Sequence, residues 1–178
     1  LRDQIKVRQQ IELRLKHEAL HDALTGMPNR ALLLDRLGHA LARFRRDPTK
    51  LFAVLFIDLD GFKDINDTHG HHAGDLVLRA TAQRLVNTVR DGDHVGRLGG
   101  DEFLVIAEPV AGIDEAVALA ERLLAALGEP MAIDHGTVAV KASIGIALSD
   151  SIAVGDGTPD GGDIDSADLL RDADLAVY

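Results

Sequence analysis

The most continuous apolar stretch in the chain is LFAVLFIDLD, residues 51–60, which ends in acids. A run of this length without alternation predicts a strand buried on both faces, its carboxylates emerging where it leaves the core. Upstream, Leu33, Leu37, Ala40, Leu41 and Phe44 recur at helical spacing and predict a helix over residues 30–45, with Asn29 as its N-cap. Downstream, Leu76, Val77, Ala80, Leu85, Val86 and Val89 predict another over residues 73–89. A further helix over residues 113–127 carries Asp114 and Glu115 in its first turn and stops at Gly128, with Pro130 just beyond. In GRLGGDEFLVIAE, residues 96–108, two apolar runs flank Gly99 and Gly100. That pattern predicts a two-residue hairpin turn at the glycines, with residues 103–107 as the second strand. Strands are also expected near residues 131–133 and 138–148, then a Gly- and Asp-rich loop over 150–166. A last helix capped near Asp165 or Ser166 is still running at Tyr178. Helices alternating with strands, and one hairpin, make a mixed α/β sheet in a single domain.

Residues 1–22 are charged and contain neither Gly nor Pro, and Ile11, Leu15 and Ala19 follow one another at i+4. This stripe is narrow. It suits a helix lying on its own domain as well as a dimerising linker from an upstream module, and the pattern leaves both open.

Composition narrows the function more than the fold. The chain has 178 residues and a formal charge of −10, which argues against a broad nucleic-acid or anionic-membrane surface but leaves room for a nucleotide held by a few local contacts. No cysteine is present, so disulfides and thiolate metal sites are excluded, which suits a reducing compartment. No apolar run approaches the roughly 20 residues of a membrane span. The first residue is Leu1 inside an already helical pattern, so the sequence is expected to be part of a longer protein.

Two acidic clusters carry the candidate chemistry. Asp101 and Glu102 sit side by side on the lip of the expected hairpin, where adjacent like charges repel and neither residue favours a strand. The second cluster, IDLDGFKDINDTHGHHAGD, spans residues 57–75. Asp58 and Asp60 are expected to point to opposite faces of their strand, one toward a site and the other toward solvent. The DLDG within it resembles the centre of an EF-hand loop. Aligning Gly61 with the glycine of that loop, however, puts Phe56 in the first ligand position and Asp67 in the last, and a buried strand precedes where a helix should. A better reading places the strand ending at Asp58 beside the hairpin ending at Asp101. Their carboxylates would then converge at one sheet edge as oxygen ligands for Mg²⁺, which takes substrate phosphates for its remaining positions. His69, His71 and His72 suggest zinc as a minor alternative. Histidines packed this closely on a polar loop are more often solvated. Arg90 and Asp93, in RDGD, read on their own as a helix-terminal arginine and a turn.

Several stretches together resemble one family. GGDEF at residues 99–103 looks like the signature of the GGDEF domains, the diguanylate cyclases. DALTGMPNR at 22–30 is similar to the family's opening segment, and FIDLDGFKDINDTHGHHAGD at 56–75 to its metal and guanine segment. SIGIA at 143–147 and LLRDADLAVY at 169–178 are similar to its closing segments. The resemblance runs in order from Asp22 to Tyr178. It implies an α/β (α+β) fold: a mixed, mostly antiparallel central sheet wrapped by helices, like the palm of nucleotidyl cyclases. Residues 1–22 would then be a helical signalling linker and 23–178 the cyclase domain, truncated at its C-terminus. A Lys and an Arg that grip the phosphates follow the ADLAVY segment in the family and lie beyond Tyr178.

The implied activity condenses two GTP molecules into cyclic di-GMP and two pyrophosphates, with Mg²⁺ or Mn²⁺, in a homodimer whose two domains face each other. By resemblance, Asp58, Asp101, Glu102 and the backbone carbonyl of Leu59 are metal ligands, and Asp101, with Glu102 beside it, is catalytic. Gly61, Phe62 and Lys63 approach the phosphates, Asn66 and Asp75 read guanine, and His71 contacts ribose or base. Gly99 and Gly100 let the backbone pass close to the nucleotide. Arg90 and Asp93 match an allosteric Arg-x-x-Asp site where the product inhibits. The resemblance also implies a cytoplasmic domain with an upstream sensor, and a downstream phosphodiesterase domain in some fusions, without nucleic-acid or direct membrane contact. The alternative is a catalytically weak regulatory module that binds GTP or cyclic di-GMP.

Overall fold

The structure, a computed structural model, describes residues 2–150. The expected loop beyond Asp150 and the expected final helix lie outside the described residues. Five helices are described: α1 (Arg2–Leu20), α2 (Arg30–Arg46), α3 (Phe62–His69), α4 (His71–Thr88) and α5 (Ile113–Gly128). The strands are β1 (Leu51–Asp60), β2 (His94–Gly99), β3 (Glu102–Val110), β4 (Met131–Ile133), β5 (Gly136–Val138) and β6 (Lys141–Leu148). Four strands form the central sheet in the order β2-β3-β1-β6, and β4 and β5 form a separate hairpin; every pairing is antiparallel. The run expected as one strand over 138–148 is broken, with β5 ending at Val138 and β6 starting at Lys141.

The apolar run of β1 explains its central place. Phe52 through Ile57 are all buried, because helices cover both faces of the sheet. Phe52, Val54 and Phe56 pack with Leu104 and Ile106 under the α2 stripe of Leu33, Leu37, Leu41 and Phe44. Ala53, Leu55, Ile57 and Leu59 pack with Phe103 and Val105 against α4 and α5, through Val77, Leu85, Leu119 and Leu123. Each fully buried Leu, Ile or Phe contributes about 1.5–3 kcal/mol relative to exposure. The start of β1 is fixed by a buried side chain: the Phe52 N–H donates to Ser149 Oγ at 3.0 Å.

This two-sided packing corrects one expectation. Side chains along a strand alternate with period two, so Asp58 and Asp60 share a face with Phe52, Val54 and Phe56 rather than pointing apart. A second correction concerns the segment after β1. Residues 62–69 form a helix of their own, α3, with no fully buried side chain. His69 therefore ends α3, and His71 and His72 open α4, rather than sharing a polar loop.

Candidate active site

The site is built where β1 ends. Asp58 on β1 lies directly opposite Glu102 on β3, and the Leu59 N–H donates to the Asp101 carbonyl at 3.3 Å. The register Gly99↔Glu102 makes Gly100 and Asp101 the two-residue turn, so Gly99 closes β2 and Asp101 sits within the turn, not after it. Gly100 takes φ 51°, a left-handed value that glycine adopts without strain. Glu102 shares parity with Leu104 and Ile106, so Asp58 and Glu102 occupy one sheet face. Carboxylates placed directly opposite on one face repel, and a divalent cation is the natural complement to such a pair. Among the described residues no three His, Asp or Glu side chains come together as a ready-made metal cage. Such a partial oxygen donor set fits Mg²⁺, which is commonly held by one or two carboxylates plus substrate phosphates. It does not resemble the closed nitrogen and sulfur set of structural zinc.

Gly61, with φ 70°, turns the chain directly from β1 into α3, and no side chain caps that helix. The α3 N-terminus, with Phe62 and Lys63 in its first turn, thus follows immediately on the Asp58–Asp60 carboxylates. Asn66 lies in the last turns of α3, and its carbonyl accepts from the Gly70 N–H at 2.8 Å. Half-buried Asp75 and exposed His71 lie in the first turns of α4. His72 points elsewhere, pairing with Asp134 of the β4–β5 turn at 3.3 Å.

A residue missed by sequence reasoning anchors the hairpin. Arg97 donates through Nη1 to both Asp22 carboxylate oxygens, at 2.9 and 3.1 Å, and through Nε and Nη2 to the Gly100 carbonyl, at 3.0 and 2.7 Å. Its side chain is only 11% exposed. Asp22 also accepts from the Thr25 N–H and hydroxyl. Burial pushes the Asp22 pKa up, but the bonds from Thr25 and Arg97 outweigh it, and the carboxyl is held below its ordinary range. The same segment docks on β2, where the Arg97 N–H donates to the Pro28 carbonyl at 2.9 Å. The signal available in the sequence was an arginine three residues before a glycine turn, which is weak in isolation.

Arg90 and Asp93 lie at the other end of the β2–β3 hairpin. The Asp93 side chain is 2% exposed, and its carboxylate accepts from the Arg90 N–H and Nε and from the Glu108 N–H. Arg90 also donates to Glu115 at 2.9 Å and to the Pro109 carbonyl. Burial opposes the Arg90 charge, yet Asp93 and Glu115 together hold its pKa above the usual arginine value. Beside them is a cavity of about 190 Å³ that Leu119 and Arg122 also line.

A four-stranded antiparallel sheet wrapped by helices, with acids at the end of a buried central strand and on the adjoining hairpin, defines a domain of the nucleotidyl-cyclase palm class. Comparison with known proteins agrees. Residues 19–178 match the family described as diguanylate cyclase, GGDEF domain, and the chain belongs to that family. It is 46% identical over 160 residues to the bifunctional diguanylate cyclase/cyclic di-GMP phosphodiesterase MucR of Pseudomonas aeruginosa, covering 90% of this chain and 22% of MucR. It is 44% identical over 165 residues to the diguanylate cyclase TpbB of the same organism, covering 92% of this chain and 35% of TpbB. The solved GGDEF domain of TpbB superimposes with a TM-score of 0.76 at 43% identity, covering 89% of this chain and 86% of that one. The chain thus spans between about a fifth and a third of the length of these two curated relatives.

Proposed function

We propose that this domain condenses two GTP molecules into cyclic di-GMP, as a pair of facing domains that each hold one GTP. The observation that carries the proposal is the register that sets Asp58 opposite Glu102 and joins Leu59 to Asp101 through the backbone. Asp58, Asp101, Glu102 and the Leu59 carbonyl would hold Mg²⁺, whose role when bound is to neutralise phosphate charge and to acidify the attacking hydroxyl. In each half-reaction, a 3′-oxygen forms a bond to the other nucleotide's α-phosphorus. The bond from that phosphorus to the pyrophosphate oxygen breaks, and the hydroxyl proton passes to the Asp101 carboxylate. The uncapped α3 N-terminus, with Gly61, Phe62 and Lys63, receives the terminal phosphates through free N–H groups and a positive side chain. Asn66 and Asp75 read the guanine edge, the amide oxygen of one and the carboxylate of the other accepting from N1–H and the 2-amino group, which adenine does not offer. His71 lies beside them for ribose or base. Gly99 and Gly100 keep the hairpin close to the nucleotide.

Product inhibition is assigned to Arg90 and Asp93. With Asp93 nearly buried, Arg90 makes the contact to the ligand and Asp93 holds the arginine in place. Residues 1–22 act as the signalling linker and 23–178 as the catalytic domain. Ile11 and Leu15, 54% and 59% exposed, support helix pairing as the route to the dimer. In the whole protein a sensor precedes the domain, and a phosphodiesterase domain following it, as the name of MucR indicates for that relative, is one architecture. Among the described residues no helix is long and apolar enough to cross a membrane. The proposed cyclase draws on GTP, which places the domain in the cytoplasm.

The test is product formation from GTP and Mg²⁺ by the full-length protein, resolved by chromatography, with Asp101→Ala alongside. Cyclic di-GMP that disappears in the variant supports the cyclase. Binding of cyclic di-GMP that depends on Arg90, without any turnover, would replace it with a regulatory module.

A further inference from the structure

We infer that Gly74 is a specificity-determining positioning residue, because the side chain it lacks is the space that the Asn66 amide occupies. The inference rests on the reading of Asn66 as a guanine contact. Helices α3 and α4 meet at Gly70, and the Gly74 N–H donates to the Gly70 carbonyl at 3.3 Å. Asn66 therefore faces the first turn of α4. A Cβ at Gly74 would lie 2.0 Å from Asn66 Oδ1, 3.0 Å from Asn66 Cγ and 3.2 Å from Phe62 Cζ. The first two distances cannot coexist with an undisplaced amide.

The helix itself gives no reason for a glycine here. Gly74 is within α4, is buried and does not have a positive φ. Glycine in a helix interior costs about 0.5–1 kcal/mol relative to alanine. The requirement comes from across the helix crossing. The obstructing atoms belong to the tip of a side chain that can rotate, so alanine would move Asn66 rather than break the packing of α4. Phe62, at the first position of α3, would yield by a few tenths of an ångström. Asp75 adjoins Gly74 in the chain, so one crossing sets the places of both proposed guanine contacts.

The experiment measures binding of 3′-deoxy-GTP and 3′-deoxy-ITP, which lack the attacking hydroxyl, to the full-length protein with Mg²⁺. ITP lacks the 2-amino donor, so the ratio of the two dissociation constants reports on guanine reading independently of turnover. Gly74→Ala is expected to weaken 3′-deoxy-GTP about tenfold and to lower the ratio without abolishing it, since Asp75 also accepts from the 2-amino group, while the melting temperature holds or rises. Asn66→Ala is expected to do the same. The Asn66→Ala/Gly74→Ala double variant is expected to match Asn66→Ala alone, because the obstructing atoms are gone. An unchanged ratio in Gly74→Ala, beside a lowered ratio in Asn66→Ala, overturns the inference. An unchanged ratio in Asn66→Ala overturns the guanine reading, and this inference with it. Should Gly74→Ala alone not fold, the double variant is expected to fold; its failure as well would show that Gly74 serves packing and would overturn the inference.

Discussion

Arg97 joins Asp22 to Gly100. One guanidinium holds the Asp22 carboxylate, just after α1, and the carbonyl of the β2–β3 hairpin turn. Asn29 extends the tie, its Nδ2 donating to the Ala19 carbonyl at 2.9 Å within α1 and its side chain capping α2. The end of α1 is thus linked to the turn that carries Asp101 through Asn29, Pro28 and Arg97. Replacing Arg97 by Ala leaves Asp22 and the Gly100 carbonyl without this partner, a loss of about 1.5–3 kcal/mol for charge-assisted hydrogen bonds. The melting temperature is expected to fall, with activity falling further than stability because Asp101 loses its fixed place. Thermal unfolding and initial rates on the same preparation check both.

The same carboxylate gives a pH dependence with a definite sign. The Asp22 pKa is depressed in the folded state, despite burial, by Thr25 and Arg97, so its stabilisation is full above the unfolded-state pKa and is lost as pH falls through the folded value. Glu115, depressed by the Ala111 N–H and by Arg90, acts in the same direction. Stability of the native protein is expected to decline below about pH 4. Asp22→Asn should show a shallower decline over that window while being less stable at neutral pH. Denaturant titrations at a series of pH values measure the slope, and an equally steep decline in the variant counts against the assignment.

At the end of β1, Asp58→Asn is expected to reduce cyclic di-GMP synthesis about a hundredfold or more, in proportion to the electrostatic stabilisation removed from the phosphates. Because Asp58 and Glu102 are like charges on directly opposed positions, the same change also removes that repulsion from the metal-free protein. Rates and melting temperatures without Mg²⁺ would separate the two effects.

At the far end of the hairpin, Glu115 already occupies one arm of Arg90. Arg90→Ala is expected to weaken cyclic di-GMP binding at this site at least about tenfold and to relieve inhibition. Glu115→Gln should have the opposite sign, freeing the guanidinium and lowering the inhibitory concentration. Inhibition curves for both variants test the pair.

A structural prediction lies at the start of β1. Ser149→Ala removes the acceptor of the buried Phe52 N–H and should cost about 1–3 kcal/mol without altering the affinity for GTP. Chemical denaturation beside nucleotide titration checks that separation.

The local chemistry of the chain settled β1, α2 and α5 directly. Leu51 to Ile57 contains no polar residue and needs cover on both faces, while the α2 stripe and the Gly128 stop follow from helical spacing alone. The motif stretches likewise carried the family. Helix α3 was not legible, since eight residues without a fully buried side chain take their helical form from contact with α4 and the core. Nor could spacing tell that Asp58 faces Glu102, that Asp101 lies inside the turn, or that Arg97 reaches Asp22. The first and last of these join residues 44 and 75 positions apart. Their geometry depends on the register of β1 against β3 and on the docking of the leading segment over β2. Periodicity reports which face of an element is buried. Which residues then meet across elements is set by the summed packing of the whole domain, and only the folded chain decides it.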